Sequence, residues 1–417
     1  MDKNLGIYIH IPFCAGKCYY CDFCSVSRGE KTMPKYQEAL TKHLTESSEQ
    51  MSDFIVDSIY FGGGTPSYYG GKRICELFNT IKNSARVLKH SEVTVECNPD
   101  SMNKQDLVLM RKEGVNRLSI GMQSANTDLL KLIGRRHSFK QVENAVSMAR
   151  SEGFDNISLD LIYGLPSQTR KDWADTLIRA LELNPEHISC YGLKLSEGTK
   201  MYRDYNGSPL LPSDDEQADM YLFTVDTLAQ YGYPQYEISN FALEGYESRH
   251  NLKYWNLDDY MGFGASAHSN IGGVRYSYTS SISRYINGIL KDESILDEYE
   301  EISRIEKASE YIMLGMRTRE GISKDEYVDI YMSDFDAIEH IFKGFGEKGW
   351  AFERDGRWIF TSSGYLLSNV LINILLEAQA KNKVVSTPWV SRDDSLFSAE
   401  DVVLPSGGSK FYISDFS

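Results

Sequence analysis

The sequence predicts an α/β fold: a parallel sheet joined by helices, then a smaller, mainly helical, winged-helix-like C-terminal domain. Three observations carry this expectation. Six short apolar runs between residues 6 and 195 alternate with helical patterns, the signature of βα units. Most of these runs lead into polar or Gly- and Pro-rich residues, and the C-terminal ends of parallel strands are where ligands sit. From about residue 302 the apolar spacing becomes helical, and an aromatic hairpin follows near residue 350.

Taken in order, the first strand is Gly6 to Ile11, stopped by Pro12. A loop carrying four cysteines follows, then a polar stretch from Ser25 to Thr32 and a helix from about Pro34 to Met51 with Tyr36, Leu40 and Leu44 on one face. The next strands are Ile55–Phe61, Glu92–Glu96, Arg117–Ile120, Ile157–Ile162 and His187–Leu195. Helical patterns fall at about 103–113, 127–133, 139–152 and 170–183. Residues 201–300 read as an irregular, Tyr- and Gly-rich segment completing the site. Helices are expected at about 324–332, 335–347 and 362–380, with a hairpin from Trp350 to Phe360. The expected domains are 1–200, 201–300, 301–380 and a polar tail at 381–417.

Apolar residues are 41 % and charged residues 25 %, ordinary for a globular protein. The formal net charge of −15 argues against a general nucleic-acid binder, which needs a basic face, but leaves room for a local basic pocket. No apolar run approaches the roughly 20 residues that span a bilayer, and Met1-Asp2-Lys3-Asn4 lacks the regions of a signal peptide. Cys75, Cys97 and Cys190 are scattered and read as buried thiols. The expectation is a reduced, cytoplasmic compartment.

Cys14, Cys18 and Cys21 are spaced C-x3-C-x2-C, close enough for a tight loop to turn three thiolates toward one soft metal centre. Zinc and an iron–sulfur cluster are both open. A closed zinc site needs a fourth ligand, for which Cys24 or His10 are available. Unrelated buried thiols are the remaining alternative.

With Tyr20 just before the last cysteine, this loop resembles that of the radical S-adenosylmethionine (SAM) proteins. The run Tyr8-Ile-His-Ile-Pro-Phe-Cys14 is similar to one branch of them, the oxygen-independent coproporphyrinogen III oxidases and the HemW-type haem chaperones. The resemblance covers about residues 5–378. It implies a partial (βα)6 barrel and a 4Fe-4S cluster on Cys14, Cys18 and Cys21 whose open iron takes SAM. Gly63, Gly64 and Thr65, within Gly62-Gly63-Gly64-Thr65-Pro66, match the segment that meets the SAM amino group. Glu96, Gln123, Arg135 and Asp160, at or shortly after strand ends, match SAM contacts. Tyr8 and Tyr20 match aromatic contacts near the cluster.

His250-Asn251-Leu252-Lys253-Tyr254-Trp255 reads by itself as a structural histidine in a Tyr-rich core, or as an axial ligand with flat apolar walls for haem. H-N-x-x-Y-W resembles the string linked to haem in the chaperone branch. That makes His250 the candidate haem ligand. Apart from the resemblance, His268 in Gly264-Ala-Ser-Ala-His268-Ser is a second candidate, while His10 is expected to shape the cluster loop. The coproporphyrinogen oxidases carry a further cysteine two residues after the third ligand. Here that position is Phe23, and Cys24 stands where the chaperones have Asn. The implied function is therefore haem binding and delivery to a recipient haem protein, with an electron donor for the cluster as a further partner. The alternatives are SAM-radical decarboxylation of coproporphyrinogen III and a zinc-stabilised binding protein.

Overall fold

A computed structural model describes residues 3–331 and 334–385 of the chain. The six apolar runs form β1 (Lys3–Ile11), β2 (Phe54–Gly63), β3 (Arg86–Cys97), β4 (Arg117–Gln123), β5 (Ile157–Tyr163) and β6 (His187–Gly192). They lie side by side in chain order, and every neighbouring pair is parallel. Helices Met33–Glu46, Lys104–Glu113, Phe139–Ser151 and Arg170–Glu182 stand where the periodicity places them. The first buries Met33, Tyr36, Leu40 and Leu44. The sequence reading gives no element between β2 and β3, where the helix Gly71–Ser84 makes the crossover and buries Ile74, Leu77, Phe78 and Ile81.

Strand pleating sorts the side chains onto two faces. Ile7, Ile9, Ile59, Phe61, Val93, Val95, Leu118 and Ile120 are at most 2 % exposed and belong to the main core. The opposite face is polar. Tyr8, Tyr60, Thr94 and Arg117 are in register across β1–β4, and Glu96, Ser119, Ser158 and His187 form the next row across β3–β6. A closed barrel fills its interior with branched apolar side chains. A polar interior on a barrel left open at the side makes a ligand chamber.

Residues 201–300 are more regular than expected. The helix Asp214–Gln230 starts at a capping box of Ser213 and Glu216. The strands β7 (Gln235–Glu237), β8 (Asn240–Ala242), β9 (Tyr260–Phe263), β10 (His268–Ile271), β11 (Val274–Tyr278) and, with its first residues, β12 (Leu296–Glu301) extend the sheet. The strand order is β12-β11-β10-β9-β1-β2-β3-β4-β5-β6-β8-β7. β9 is parallel to β1, whereas β8 is antiparallel to β6. Strands of three to six residues carry too little pattern for periodicity to reveal them.

The helix Arg304–Gly315 leads into β13 (Ile322–Ser323), the helices Lys324–Tyr331 and Asp336–Glu347, and the hairpin β14 (Ala351–Arg354) and β15 (Arg357–Phe360). The order β13-β15-β14 gives the winged-helix arrangement, with Phe342 stacked 5.0 Å from Trp358. Tyr365, Leu371 and Leu375 in the last two helices join the main core. The backbone N–H of Ile238 donates to the Arg317 carbonyl at 2.9 Å and that of Arg319 to the Tyr236 carbonyl at 3.0 Å, tying this unit to the β7 edge. Among the described residues no helix is long and apolar enough to cross a membrane. The expected tail lies outside the described residues from 386 onward.

Candidate functional site

The cysteine loop is closed at its base by Phe13–Cys14 pairing with Val26–Ser27. It is held from outside by the Tyr19 N–H on the Ile133 carbonyl at 3.0 Å and the Met201 N–H on the Tyr19 carbonyl at 2.8 Å. Burial raises the thiol pKa values of Cys14 and Cys21, the latter to about 11. Among the described residues no three His, Cys, Asp or Glu side chains converge tightly enough to hold one metal ion. Cys14, Cys18 and Cys21 all line one opening, and a cubane cluster takes each thiolate on a separate iron.

The two offered fourth ligands are engaged elsewhere. The ring nitrogens of His10 lie 3.1 Å from the Tyr8 hydroxyl and 2.8 Å from the Cys24 carbonyl. The Cys24 thiol donates to the Ser280 carbonyl at 3.2 Å. His10 thus ties the end of β1 to the loop, and Cys24, unlike the other three, is not among the residues lining the cavity. Cys75, Cys97 and Cys190 are buried free thiols.

Gly62-Gly63-Gly64-Thr65 runs past the loop at the end of β2. Gly63 has φ +108°, and a Cβ there would sit 2.5 Å from the His10 ring. A Cβ on Gly64 would sit 2.8 Å from the Ile11 carbonyl and the Phe13 nitrogen. The Thr65 hydroxyl approaches the Cys14 sulfur at 3.5 Å. Gly63 N–H donates to Glu96 at 3.0 Å, and the Tyr60 hydroxyl donates to its other oxygen at 2.9 Å. Burial, with a smaller contribution from Asp160, raises the Glu96 carboxyl to about 7 despite these hydrogen bonds.

Asp160 accepts from Ser119 at 3.0 Å and from Ser158 at 3.3 Å, and burial raises its pKa. Gly121 leaves space for the Gln123 amide and the Arg135 guanidinium, since a Cβ there would lie 2.9 and 3.1 Å from them. Arg135 donates to the Tyr20 hydroxyl at 2.8 Å and to Asn98 Oδ1 at 2.6 Å, while its Nε is buried without a partner among the described residues.

His250 lies on the short helix Arg249–Trp255, which packs against β1 and β2 because Gly6 has no side chain. A Cβ on Gly6 would sit 2.7 Å from Lys253 and 3.3 Å from the His250 ring. Glu92 accepts the N–H groups of Arg249 and His250, each at 3.0 Å, and Lys253 pairs with Asp57 at 2.9 Å. The His250 ring stacks 5.3 Å from Tyr60. Its nitrogens lie 3.0 Å from the Ser58 hydroxyl and 3.0 Å from the Tyr254 hydroxyl. Burial, aided by Lys253 and Arg117, lowers its pKa to about 3, so the imidazole is neutral at pH 7.

Every residue to which the resemblance gives the cluster, SAM or haem lines a single cavity of about 630 Å³. His268 is exposed on β10 and is not among the lining residues. The sequence reading missed Arg117, Glu237 and Arg317, which line the same cavity. Glu237 is fully buried with its carboxyl raised to about 7 by burial, and its Oε1 has no partner among the described residues. Apart from a charge inside an apolar strand, nothing in the sequence marks Arg117.

Residues 8–180 match the family model of the Radical SAM superfamily. The chain is 36 % identical over 375 residues to the heme chaperone HemW of Bacillus subtilis, an alignment covering 88 % of this chain and 98 % of that protein. It is 32 % identical over 377 residues to the heme chaperone HemW of Escherichia coli, covering 89 % and 98 %. The structure of coproporphyrinogen III oxidase (HemN) from Escherichia coli, a radical SAM enzyme, superimposes with a TM-score of 0.77 over 90 % of each chain at 23 % identity. That identity shows a shared fold.

Proposed function

The chain belongs to the HemW family of heme chaperones within the radical SAM superfamily, and from that membership we propose that it binds haem in the barrel cavity and delivers it to recipient haem proteins. The family implies a 4Fe-4S cluster and SAM. Bound there, the cluster and SAM would supply one-electron chemistry.

Cys14, Cys18 and Cys21 are the residues to hold the cluster. Gly63, Gly64, Thr65 and Glu96 suit the amino group of SAM, and Arg135, with its unpartnered Nε, suits a carboxylate. Gln123 and Asp160 offer polar contacts to the ribose, with Tyr8 and Tyr20 as flanking aromatics.

The observation that carries the haem assignment is His250 on the cavity wall with Tyr8, Tyr60, Tyr254 and Trp255 around it. A neutral imidazole is the ligating form. Coordination through the nitrogen facing Tyr254 would require that hydroxyl to give way. Phe23, in place of the oxidases' further cysteine, favours the chaperone over the decarboxylase.

The test is haem titration of cluster-loaded protein and of His250→Ala. The variant should show an altered Soret band and bind haem at least about tenfold more weakly. An unchanged spectrum and affinity would remove His250 from the assignment.

A further inference from the structure

Arg117 is 1 % exposed and lines the cavity. It enters no ion pair among the described residues, and its Nε is buried without a partner. Thr94, directly across the ladder on β3, is fully buried behind the cavity lining, and its hydroxyl has no partner among the described residues. A buried guanidinium left uncompensated is costly, and so is an unpaired buried hydroxyl. The two groups share one face of neighbouring strands with Glu96 and Ser119, whose side chains line the cavity one row away.

The charge of Arg117 is felt by Glu96 and Asp160, whose carboxyls it pulls down, but burial still leaves both above their ordinary values. Neither carboxylate forms an ion pair with Arg117 among the described residues. Arg117 and Thr94 sit in the row that contains Tyr60 and Tyr8, the rings that flank His250. A planar fork of N–H donors on the cavity wall suits a carboxylate.

We propose that Arg117 on the cavity wall, with Thr94 packed beside it, forms a carboxylate subsite in the row of Tyr8 and Tyr60 that flanks His250, taking a haem propionate, an assignment that rests on the haem reading above. The amino-acid carboxylate of SAM is the other source of the same chemistry.

The experiment titrates cluster-loaded wild type, Arg117→Gln and Thr94→Val with haem, with haem dimethyl ester, whose propionates are uncharged, and with SAM. Wild type should bind haem about tenfold or more tightly than the ester. Arg117→Gln should lower haem affinity to the ester's level while leaving ester affinity unchanged. Thr94→Val should give a smaller loss of the same kind. A fall in SAM affinity with haem unaffected would keep the carboxylate subsite and assign it to SAM. Equal losses for haem and ester, or no loss for any ligand, would overturn it. If Arg117→Gln does not fold, Arg117→Lys and the wild-type preference for haem over ester decide the point. Wild type that binds no haem refutes the haem reading, and the SAM titration still tests Arg117.

Discussion

The Tyr254 hydroxyl lies 3.0 Å from a ring nitrogen of His250, one turn away on the same helix, and so caps the nitrogen offered for haem coordination. The other nitrogen lies 3.0 Å from the Ser58 hydroxyl. With Ser58 accepting and Tyr254 donating, the imidazole keeps its lone pair on the Tyr254 side. Tyr254→Phe should remove a hydrogen bond worth about 1 kcal/mol and speed haem association about fivefold. Stopped-flow mixing of haem with both proteins measures this. Association no faster than wild type would mean that Tyr254 does not guard the site.

The four cysteines of the loop divide into two groups. Cys14, Cys18 and Cys21 line the cavity, whereas Cys24 is bonded to the Ser280 carbonyl and does not. Ser substitution at any of the three should abolish reconstitution of the cluster, read as iron and sulfide content. Cys24→Ser should retain both at the wild-type level. Loss of cluster in Cys24→Ser would make it a fourth ligand.

Glu96 gives the ligand-free protein a pH dependence of defined sign. Its folded-state pKa of about 7 lies above the ordinary carboxyl value of 4.5 because burial disfavours the charge. Between those values the folded chain keeps a proton that the unfolded chain has lost, so stability falls as pH rises through this window. Glu237 acts in the same direction. Glu96→Gln should flatten the fall between pH 5 and pH 8 by on the order of 1–3 kcal/mol. Denaturant midpoints across that range measure it, and an identical slope in the variant would contradict the assignment.

Gly64 has no room for a side chain. A Cβ would meet the Ile11 carbonyl and the backbone of Phe13 at 2.8–2.9 Å. Gly64→Ala should cost at least about 2 kcal/mol and displace Thr65 from Cys14. Thermal melting and cluster content report the two effects, and an unchanged melt would show that the segment yields easily.

The parallel half of the fold was legible because each strand is an apolar run long enough to register, with Pro, Gly or Asn ending several of them. Much of the cavity lining was legible because motif residues at strand ends face one chamber once the strands are parallel and in chain order. Other elements were not. The helix at 71–84 lacked a clear start signal, its N-cap being Gly70 without a side-chain hydrogen bond. β7 and β8 have three residues each, and their pairing depends on partners far away in the chain. Arg117 escaped notice because a single cation in a strand shows its meaning only when the interior face and its neighbours are known.

The most direct test of haem binding without porphyrinogen chemistry is anaerobic incubation of one cluster-loaded preparation with reductant, SAM and coproporphyrinogen III. Protoporphyrinogen formation is followed while haem binding is verified on the same protein. The expected result is haem bound by the preparation and no product. Protoporphyrinogen formed over many turnovers would make the protein a decarboxylase and leave the helix bearing His250 as a support for the barrel wall.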